Sequence, residues 1–507
     1  MKYTPTIGLE IHAELNTNSK MFCSCKNDSL EPRANINVCP ICMGHPGVLP
    51  VINAEAVKKV VKTGIALSCE IAKHSQFARK NYFYPDLPKG YQISQFALPL
   101  CENGFLEINR RKIGITRIHL EEEAAKLIHQ KDGSLVDFNR AGIPLMELVT
   151  EPDLTNAEEA YNFAREVQLI LRYLGVSSAD MEKGQMRIEA NISLKALLLP
   201  ASPSRREGED IGGGGKESEE LGTKVEIKNL NSFRVVKKAI EYEIERQAGI
   251  LDSGNDVVHE TRGWDDKKQI TVSQRIKEKA HDYRYFPEPD LPPLALADEY
   301  VSVIKSEIPE LPHIKRIRFK DEYFLKDEDI EIFVFNKDLG EYFEQVVSEF
   351  QAWLEDKDNK EIGEKEYREL AQTTSNYVLT DLTGLLNGMS VEDKEFRISA
   401  ENFAEFISML YRKEITSKIA KIILKEMFNK GSDPSDVVEE KGLSQVKDKQ
   451  ELEQIVIDVV AANLRAVDDY KKGKENALQF LIGQAMAKTK GRANPEILEK
   501  LFTKVLN

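Results

Sequence analysis

The chain has 507 residues, more than one hydrophobic core usually supports, so we expect two to four domains. Its 41% hydrophobic and 30% charged residues are ordinary for a globular protein, and no apolar stretch approaches the roughly 20 residues that span a bilayer. The first residues lack a secretory or transit pattern, which predicts a cytoplasmic protein without membrane contact. The net charge of -14 argues against a general nucleic-acid coat, because phosphate binding rests on clustered Lys and Arg.

Alternating segments dominate the first third of the chain. Residues 7–15, 114–120 and 186–192 place apolar residues on one side and Glu, His or Arg on the other, the period of a strand with one buried face. An antiparallel sheet with one polar, functional face is the simplest fold for this pattern. The sequence therefore predicts an α+β catalytic domain at residues 1–293.

Helical patterns interrupt this sheet. Capping-box spacing from Thr155 to Glu158 predicts a helix start, and the apolar stripe that follows ends at Gly175. A second helix carries an apolar stripe from Val236 to Leu251.

Composition marks the expected boundaries. The proline-rich segment 286–293 predicts a boundary, followed by a helical domain at 294–398 and a small all-helical tail domain at 399–507. Segment 199–221 surrounds four consecutive glycines with Ser, Pro and charged residues, which favours a flexible surface insertion. A phosphate loop is disfavoured because the flanking strand, helix and Lys-Ser/Thr are missing from the pattern.

Four of the six cysteines form two close pairs: Cys23 and Cys25, then Cys39 and Cys42. In a reducing compartment this spacing favours a metal site over disulfides, and two thiolate pairs can close a tetrahedral zinc site at 23–42. Four protein ligands leave no open position, so the predicted zinc is structural. The alternative is four ordinary cysteines in a loop.

Carboxylates predict the chemistry more directly. Glu10 and His12 are two apart on one predicted strand, so both point to the same face. Three acids at 121–123 follow another strand, and Glu147 lies in an apolar run where a charge is costly unless paired or metal-bound. Such oxygen ligands suit Mg²⁺. The alternative is solvated surface acids with one incidental buried Glu.

Two further segments are candidates for nucleic-acid contact. Residues 77–95 interleave cations with aromatics, which suits base stacking and phosphate contact, although a core plug explains the pattern equally well. From Lys471 to Asn507 there are eight Lys/Arg against three Glu, around an apolar helix predicted at 477–488. A basic end on an acidic body fits one confined nucleic-acid contact.

Several long motifs, in this order, carry a family resemblance: residues 8–15, 79–95, 119–123, 228–233, 282–290 and 473–495. With them the chain closely resembles, over essentially its whole length, the B subunits of the aspartyl/glutamyl-tRNA amidotransferases. The segment at 199–221 is longer than that family's usual connection. Family members also vary at the zinc cysteines, which fits a structural role.

The resemblance implies a cradle-shaped catalytic domain, a helical domain and a tail that holds tRNA. It implies a carbon-nitrogen ligase that uses ATP and Mg²⁺ to phosphorylate the side-chain carboxylate of Glu or Asp misacylated onto tRNA(Gln) or tRNA(Asn). Ammonia released from glutamine by the amidase, the A subunit, then displaces the phosphate. The small C subunit completes the heterotrimer. Which misacylated tRNA is the substrate stays open.

The resemblance also implies roles for particular residues. His12, Glu122 and Glu147 match the family's magnesium ligands, with Glu10 as a catalytic neighbour. Lys80 and Lys89 match residues that line the ammonia route. The cations expected to bind tRNA are Lys471, Lys472, Lys474, Lys488, Lys490 and Arg492. The alternative function is a non-catalytic, zinc-containing scaffold that binds tRNA.

Overall fold

The computed structural model of the chain describes residues 3–196, 221–276, 284–358, 363–445 and 448–506. The chain forms two compact units, Met1–Leu311 and Pro312–Asn507. Within the described ranges, no helix combines the length and apolar composition needed to cross a membrane. The predicted insertion lies outside these ranges except for Leu221. The three-domain division remains a prediction.

The first unit combines strands with a few helices. Its strands are β1 Tyr3–Glu14, β2 Glu70–Ile71, β3 His74–Ser75, β4 Ala78–Asn81, β5 Tyr91–Ser94, β6 Cys101–Ile108, β7 Arg111–Glu122, β8 Lys126–Gln130, β9 Gly133–Asp137, β10 Pro144–Thr150, β11 Met186–Ala196, β12 Val225–Leu230, β13 Glu260–Asp265, β14 Ile270–Ile276, β15 Arg284–Pro287 and β16 Leu294–Ala295. Its helices are α1 Ala54–Ala66, α2 Ala157–Tyr173, α3 Phe233–Asp252 and α4 Asp298–Ser306.

One large sheet organises this unit. Among the described residues it has 12 strands, ordered β14-β13-β12-β11-β1-β10-β7-β5-β4-β15, with β6 also on β7 and β2 on β6. Its pairings are antiparallel except the parallel pair β12–β13. The structure therefore confirms the predicted α+β class with an antiparallel sheet.

The two faces of the sheet differ as the alternation predicts. Ile7, Leu9, Ile11 and Ala13 of β1 are at most 1% exposed. They belong to the apolar core that also contains the buried faces of α1, α2 and α3. Because side chains alternate along a strand, Glu10 and His12 point to the opposite face. Burial on one side thus leaves the other side for polar chemistry.

The α2 cap differs from the prediction by one residue. Asn156, not Thr155, is the N-cap, and its side chain accepts from the Glu159 backbone N–H. The Glu159 carboxylate accepts from the backbone N–H of Thr155 at 2.9 Å, so both adjacent polar residues serve the helix start. As predicted, the helix ends just before Gly175, which has φ +63°.

A bulge in β7 decides which of its residues face which side. Arg117 pairs with Val149 but Ile115 pairs with Thr150, so Thr116 is an extra residue on β7. Before this bulge, Ile113 and Ile115 are the buried apolar residues, and after it the buried apolar residues are at 118 and 120. Side chains at 117, 119 and 121 therefore share the polar face with Glu10 and His12.

The second unit is helical. Its helices are α5 Pro312–Tyr323, α6 Asp327–Phe335, α7 Lys337–Asp358, α8 Glu364–Asn376, α9 Thr383–Leu386, α10 Ala400–Tyr411, α11 Ser417–Lys430, α12 Pro434–Lys441, α13 Lys449–Ala462, α14 Leu464–Lys471, α15 Glu475–Lys488 and α16 Pro495–Leu506. A π-helical segment, Tyr377–Leu382, lies between α8 and α9. The last four helices share an apolar cluster that includes Leu452, Leu481 and Phe502. The helix predicted at 477–488 is confirmed as α15.

Candidate active site

Four polar residues lie side by side across four neighbouring strands of the polar face. Arg187 of β11 pairs with His12 of β1, His12 pairs with Glu147 of β10, and Glu147 pairs with His119 of β7. We call these four residues the polar row. Adjacent strands are about 4.8 Å apart, so the backbone fixes the spacing along the row.

Two groups of possible metal ligands meet in this row and share Glu147. The His12 group is Glu10, His12 and Glu147; the His119 group is His119, Glu121 and Glu147. Within each group the ligand atoms lie within 4.8 Å of one another. His12 Nε2 is 3.2 Å from Glu147 Oε2 and 3.7 Å from Glu10 Oε1. His119 Nε2 is 3.4 Å from Glu121 Oε1 and 3.7 Å from Glu147 Oε2.

The acids strongly perturb the His12 group. Burial opposes protonation of His12, but its hydrogen bond to Glu147 and the charges of Glu147 and Glu10 raise its pKa to about 9. Burial and the Glu147 carboxylate raise the pKa of Glu10 to about 7. Without a metal ion, therefore, the group binds a proton on His12 at neutral pH.

The carboxylates of the His119 group are held ionised. Burial would raise the pKa of Glu121, but Lys80, 3.7 Å away, and His119 hold it well below its usual range. Burial also opposes ionisation of Glu147, and His119 and His12 outweigh it and lower that pKa. Charge on Glu121 in turn raises the pKa of Lys80 against the effect of burial.

The end of the polar row that holds His12 and Arg187 opens into a cavity of about 500 Å³. Its lining includes Glu10, His12, Glu121, Lys80, Arg187, Glu189, Lys228, Asn229 and Asn231. Residues 228–231 belong to the motif at 228–233, so that motif forms part of the cavity wall. Within the described part of the chain, the cavity thus brings Glu10, His12 and Glu121 together with the cations Lys80, Arg187 and Lys228.

Glu122 is not brought into either group. It follows Glu121 on β7, points to the other side, and its carboxylate accepts from Lys89 Nζ and, at 2.9 Å, from the Ile93 backbone N–H. Glu122 and Lys89 line a separate cavity of about 100 Å³ beside the cysteine loop. Gly44 of that loop, at φ +68°, packs so closely that a Cβ there would lie 2.6 Å from Lys89 Cγ.

The sequence prediction included His119 only within the motif at 119–123, and it did not single out Glu121 among the three acids at 121–123. The signal was present, because the consecutive polar residues Thr116 and Arg117 break strict alternation and indicate the bulge. Because side chains alternate along a strand, His119 and Glu121 lie on the same face as Arg117, whereas Glu122 lies on the opposite face.

The donor sets fit the expected metal. Carboxylate oxygens suit Mg²⁺, and three protein ligands leave coordination positions for water and phosphate oxygens. The polar face supplies these oxygens from Glu10, Glu121 and Glu147, beside two imidazoles.

The four paired cysteines also come together. Their sulfurs lie within 4.8 Å of one another, near the roughly 3.8 Å expected for a tetrahedral zinc site. A hydrogen bond from Cys23 lowers the pKa of Cys42 to about 5 against the effect of burial, helped by the Cys39 backbone N–H at 3.2 Å and by Lys20. Lys20 is fully buried, with Nζ 3.9 Å from Cys42 Sγ. The thiol set and this buried cation fit a negatively charged zinc centre.

The two remaining cysteines, Cys69 and Cys101, and part of the segment at 77–95 pack in the core. Cys101 is fully buried and Cys69 partly buried against the core, as expected for small hydrophobes. In the segment, Phe77 is fully buried whereas Phe83 is 91% exposed. Arg79 is not left for phosphate, since Glu288 accepts from it at 2.7 and 2.8 Å.

The cations predicted to bind tRNA occupy two places. Lys471, Lys472 and Lys474 lie at the turn between α14 and α15 and are exposed. Lys488, Lys490 and Arg492 follow at the other end of α15, roughly 20 Å away along a helix of this length. Arg492 is half-buried, and its guanidinium donates to the Thr489 and Gly442 carbonyls.

Comparison with known proteins places the chain. Residues 5–302 match the family described as the GatB/GatE catalytic domain, and residues 361–506 match the family described as the GatB domain. The B subunit of the aspartyl/glutamyl-tRNA(Asn/Gln) amidotransferase of Thermoanaerobacter pseudethanolicus is 44% identical over 512 residues, covering 100% of both chains. The chain belongs to the family of amidotransferase B subunits.

Other relatives agree. The B subunit of the Thermotoga maritima enzyme is 45% identical over 516 residues, covering 100% of this chain and 99% of its own length. The B subunit of the Carboxydothermus hydrogenoformans enzyme is 43% identical over 510 residues, covering 99% and 98%. The resemblance drawn from motif order is therefore confirmed, and the polar row lies inside the matched catalytic domain of this family.

Proposed function

We propose that the chain is the component of a tRNA-dependent amidotransferase that activates the side-chain carboxylate of Glu or Asp misacylated onto tRNA. Two ligand groups that share Glu147 carry this proposal, and their members Glu10, His12 and Glu121 line a cavity in the family's catalytic domain. Phosphoryl transfer needs positioned metal and charge neutralisation rather than a protein nucleophile. The cavity offers ligands and cations of that kind.

The proposed role of each residue follows from its position in the site. Glu10, His12 and Glu147, with His119 and Glu121, would hold Mg²⁺, which neutralises the phosphate charge of ATP when bound. Lys80 keeps Glu121 ionised from within the cavity wall. Glu122 lies outside both ligand groups, and the proposal gives it a different role: its contact with Lys89 Nζ would hold Lys89 in place.

The proposal extends to partners. Ammonia would come from glutamine through the amidase A subunit, the small C subunit would complete the heterotrimer, and the basic tail would hold the tRNA. Lys80 and Lys89 would line the ammonia route, where a passage closed to bulk water keeps ammonia unprotonated. Zn²⁺ on the four cysteines would brace the loop that packs on Lys89.

Glu147→Gln tests the proposal in the reconstituted complex. We expect amidation of misacylated tRNA and tRNA-stimulated ATP hydrolysis to be lost, while tRNA affinity stays within about twofold, because both ligand groups lose their shared charge. Glu243→Gln is the matched control: Glu243 is also buried, but its carboxylate pairs with Arg246 at 2.6 Å on α3, away from the cavity.

The outcomes separate the two candidate functions. A non-catalytic scaffold predicts no tRNA-stimulated ATP hydrolysis even in the wild-type complex. Normal turnover of the Glu147→Gln complex would contradict the ligand assignment. Supplying Glu-tRNA(Gln) and Asp-tRNA(Asn) separately to the wild-type complex identifies the substrate.

A further inference from the structure

Among the residues that the structure describes, three cations line the cavity, and their surroundings differ. Lys80 is partly buried beside Glu121, with 21% of its side chain exposed. Lys228 is held between Glu189 at 2.6 Å and Glu226 at 3.2 Å. Each of these two lysines therefore already neutralises acids of the wall.

Arg187 is placed differently. Its side chain is 37% exposed, and of the residues that the structure describes only Glu123, at 2.5 Å, lies within ion-pair distance. A guanidinium has five N–H donors in a planar fork, and one carboxylate accepts from two of them at most. At least three donors of Arg187 thus remain for a second carboxylate.

The position of Arg187 in the polar row gives those donors a use. It is the direct cross-strand neighbour of His12, so its backbone lies about 5 Å from that of a proposed metal ligand. The acids that line the cavity, which include Glu10, Glu121 and Glu189, repel an entering carboxylate. A substrate with a side-chain carboxylate needs a cation with spare donors beside the metal groups.

We propose that Arg187 binds the side-chain carboxylate of the aminoacyl group before its activation. This inference rests on the proposed function and adds the residue that recognises the charged substrate. The guanidinium donates to both carboxylate oxygens and holds the group at the His12 end of the polar row. Conversion of the carboxylate to an amide removes the negative charge, so the same contact favours substrate over product.

The test compares charged substrate with neutral product in the assembled complex. Competition binding is measured for Glu-tRNA(Gln) against Gln-tRNA(Gln), and for Asp-tRNA(Asn) against Asn-tRNA(Asn). We expect the wild-type complex to prefer the misacylated member of the pair it amidates. In Arg187→Gln this preference falls about 10- to 100-fold, the usual worth of a bidentate charged hydrogen bond, while uncharged tRNA binds as before.

Two further variants keep the test specific. Arg187→Lys retains the charge without the planar fork, and we expect an intermediate preference. Arg111→Gln is the control, because Arg111 also pairs with one carboxylate, Glu159 at 2.7 Å, but lies outside the cavity lining. It should keep the wild-type preference.

The proposal is overturned if Arg187→Gln and Arg187→Lys both keep the wild-type ratio, or if they weaken charged, neutral and uncharged tRNA equally. A wild-type complex that shows no preference also overturns it. These binding ratios require no turnover. A wild-type complex that amidates neither misacylated tRNA would instead overturn the proposed function.

Discussion

Proton release should accompany Mg²⁺ binding to the His12 group, because the metal must displace protons that the acids hold there. His12 has a pKa raised to about 9, so only about 1% of it is neutral and able to bind metal at pH 7. Glu10 has a pKa raised to about 7 and is about half protonated. Together these protons weaken Mg²⁺ binding at pH 7 about 200-fold, or about 3 kcal/mol.

The sign follows from the direction of both shifts. Raised folded-state pKa values stabilise the metal-free protein at low pH, and this stabilisation is lost as pH rises through about 7 for Glu10 and about 9 for His12. Mg²⁺ affinity moves the opposite way and increases about tenfold or more per unit between pH 7 and 8. The titratable and charged groups around His12 are Glu10, Glu147, Glu121, Glu189, Arg187, Lys228 and His119.

Isothermal titration calorimetry with Mg²⁺ on the assembled complex, in two buffers of different ionisation enthalpy, measures this release. We expect about 1.5 protons per ion at pH 7, about one from His12 and about half from Glu10. His12→Gln is the control and should lose the larger contribution. Mg²⁺ affinity that is constant from pH 7 to 9, or a proton count that His12→Gln leaves unchanged, would refute the reasoning.

Three more perturbations test other parts of the molecule. Deleting residues 401–507 should weaken tRNA binding and leave Mg²⁺-dependent ATP hydrolysis intact; unchanged tRNA affinity in a filter-binding assay would reduce the basic end to a solvated surface. Cys42→Ser should lower bound zinc, measured by mass spectrometry of the purified complex, whereas retention at wild-type affinity would contradict the four-thiolate site. Phe163→Ala in α2, where Phe163 is fully buried, should cost about 3–5 kcal/mol in denaturant unfolding, with half-buried Tyr161→Ala as the milder control. A loss below about 1 kcal/mol would show that the core collapses around the cavity.

Local pattern predicted the parts of the fold that depend on one buried face. The sequence pattern of β1 alternates clearly because its odd-numbered residues pack on helices while Glu10 and His12 face the cavity. The α2 boundary was ambiguous by one residue because Thr155 and Asn156 both serve the helix start. Two adjacent cap-forming residues offer the backbone nearly equal alternatives.

Contacts between distant segments could not be read from the sequence. The bulge at Thr116 exchanges the faces of Glu121 and Glu122; two consecutive polar residues indicate a break in alternation, and the pairing with β10 fixes its position. Lys89 reaches Glu122 across 33 positions, and Lys20 reaches Cys42 from outside the cysteine motif. Buried partners of this kind are chosen by the tertiary packing, and no local periodicity indicates them.

The residues of the polar row have a fixed spacing because each of them lies on a different strand of the sheet. Backbone hydrogen bonds set its four positions about 4.8 Å apart, so the backbone spacing of His12, Glu147 and His119 is fixed. Asp and Glu side chains differ by one carbon, about 1.5 Å, which is less than the distance between two adjacent strands. A cross-strand register changes only by whole residues, whereas the long side chain of Arg187 can change its rotamer over that distance. On the proposed function, the fixed strand spacing would position the metal ligands, and the flexible side chain of Arg187 would accommodate a carboxylate of either length.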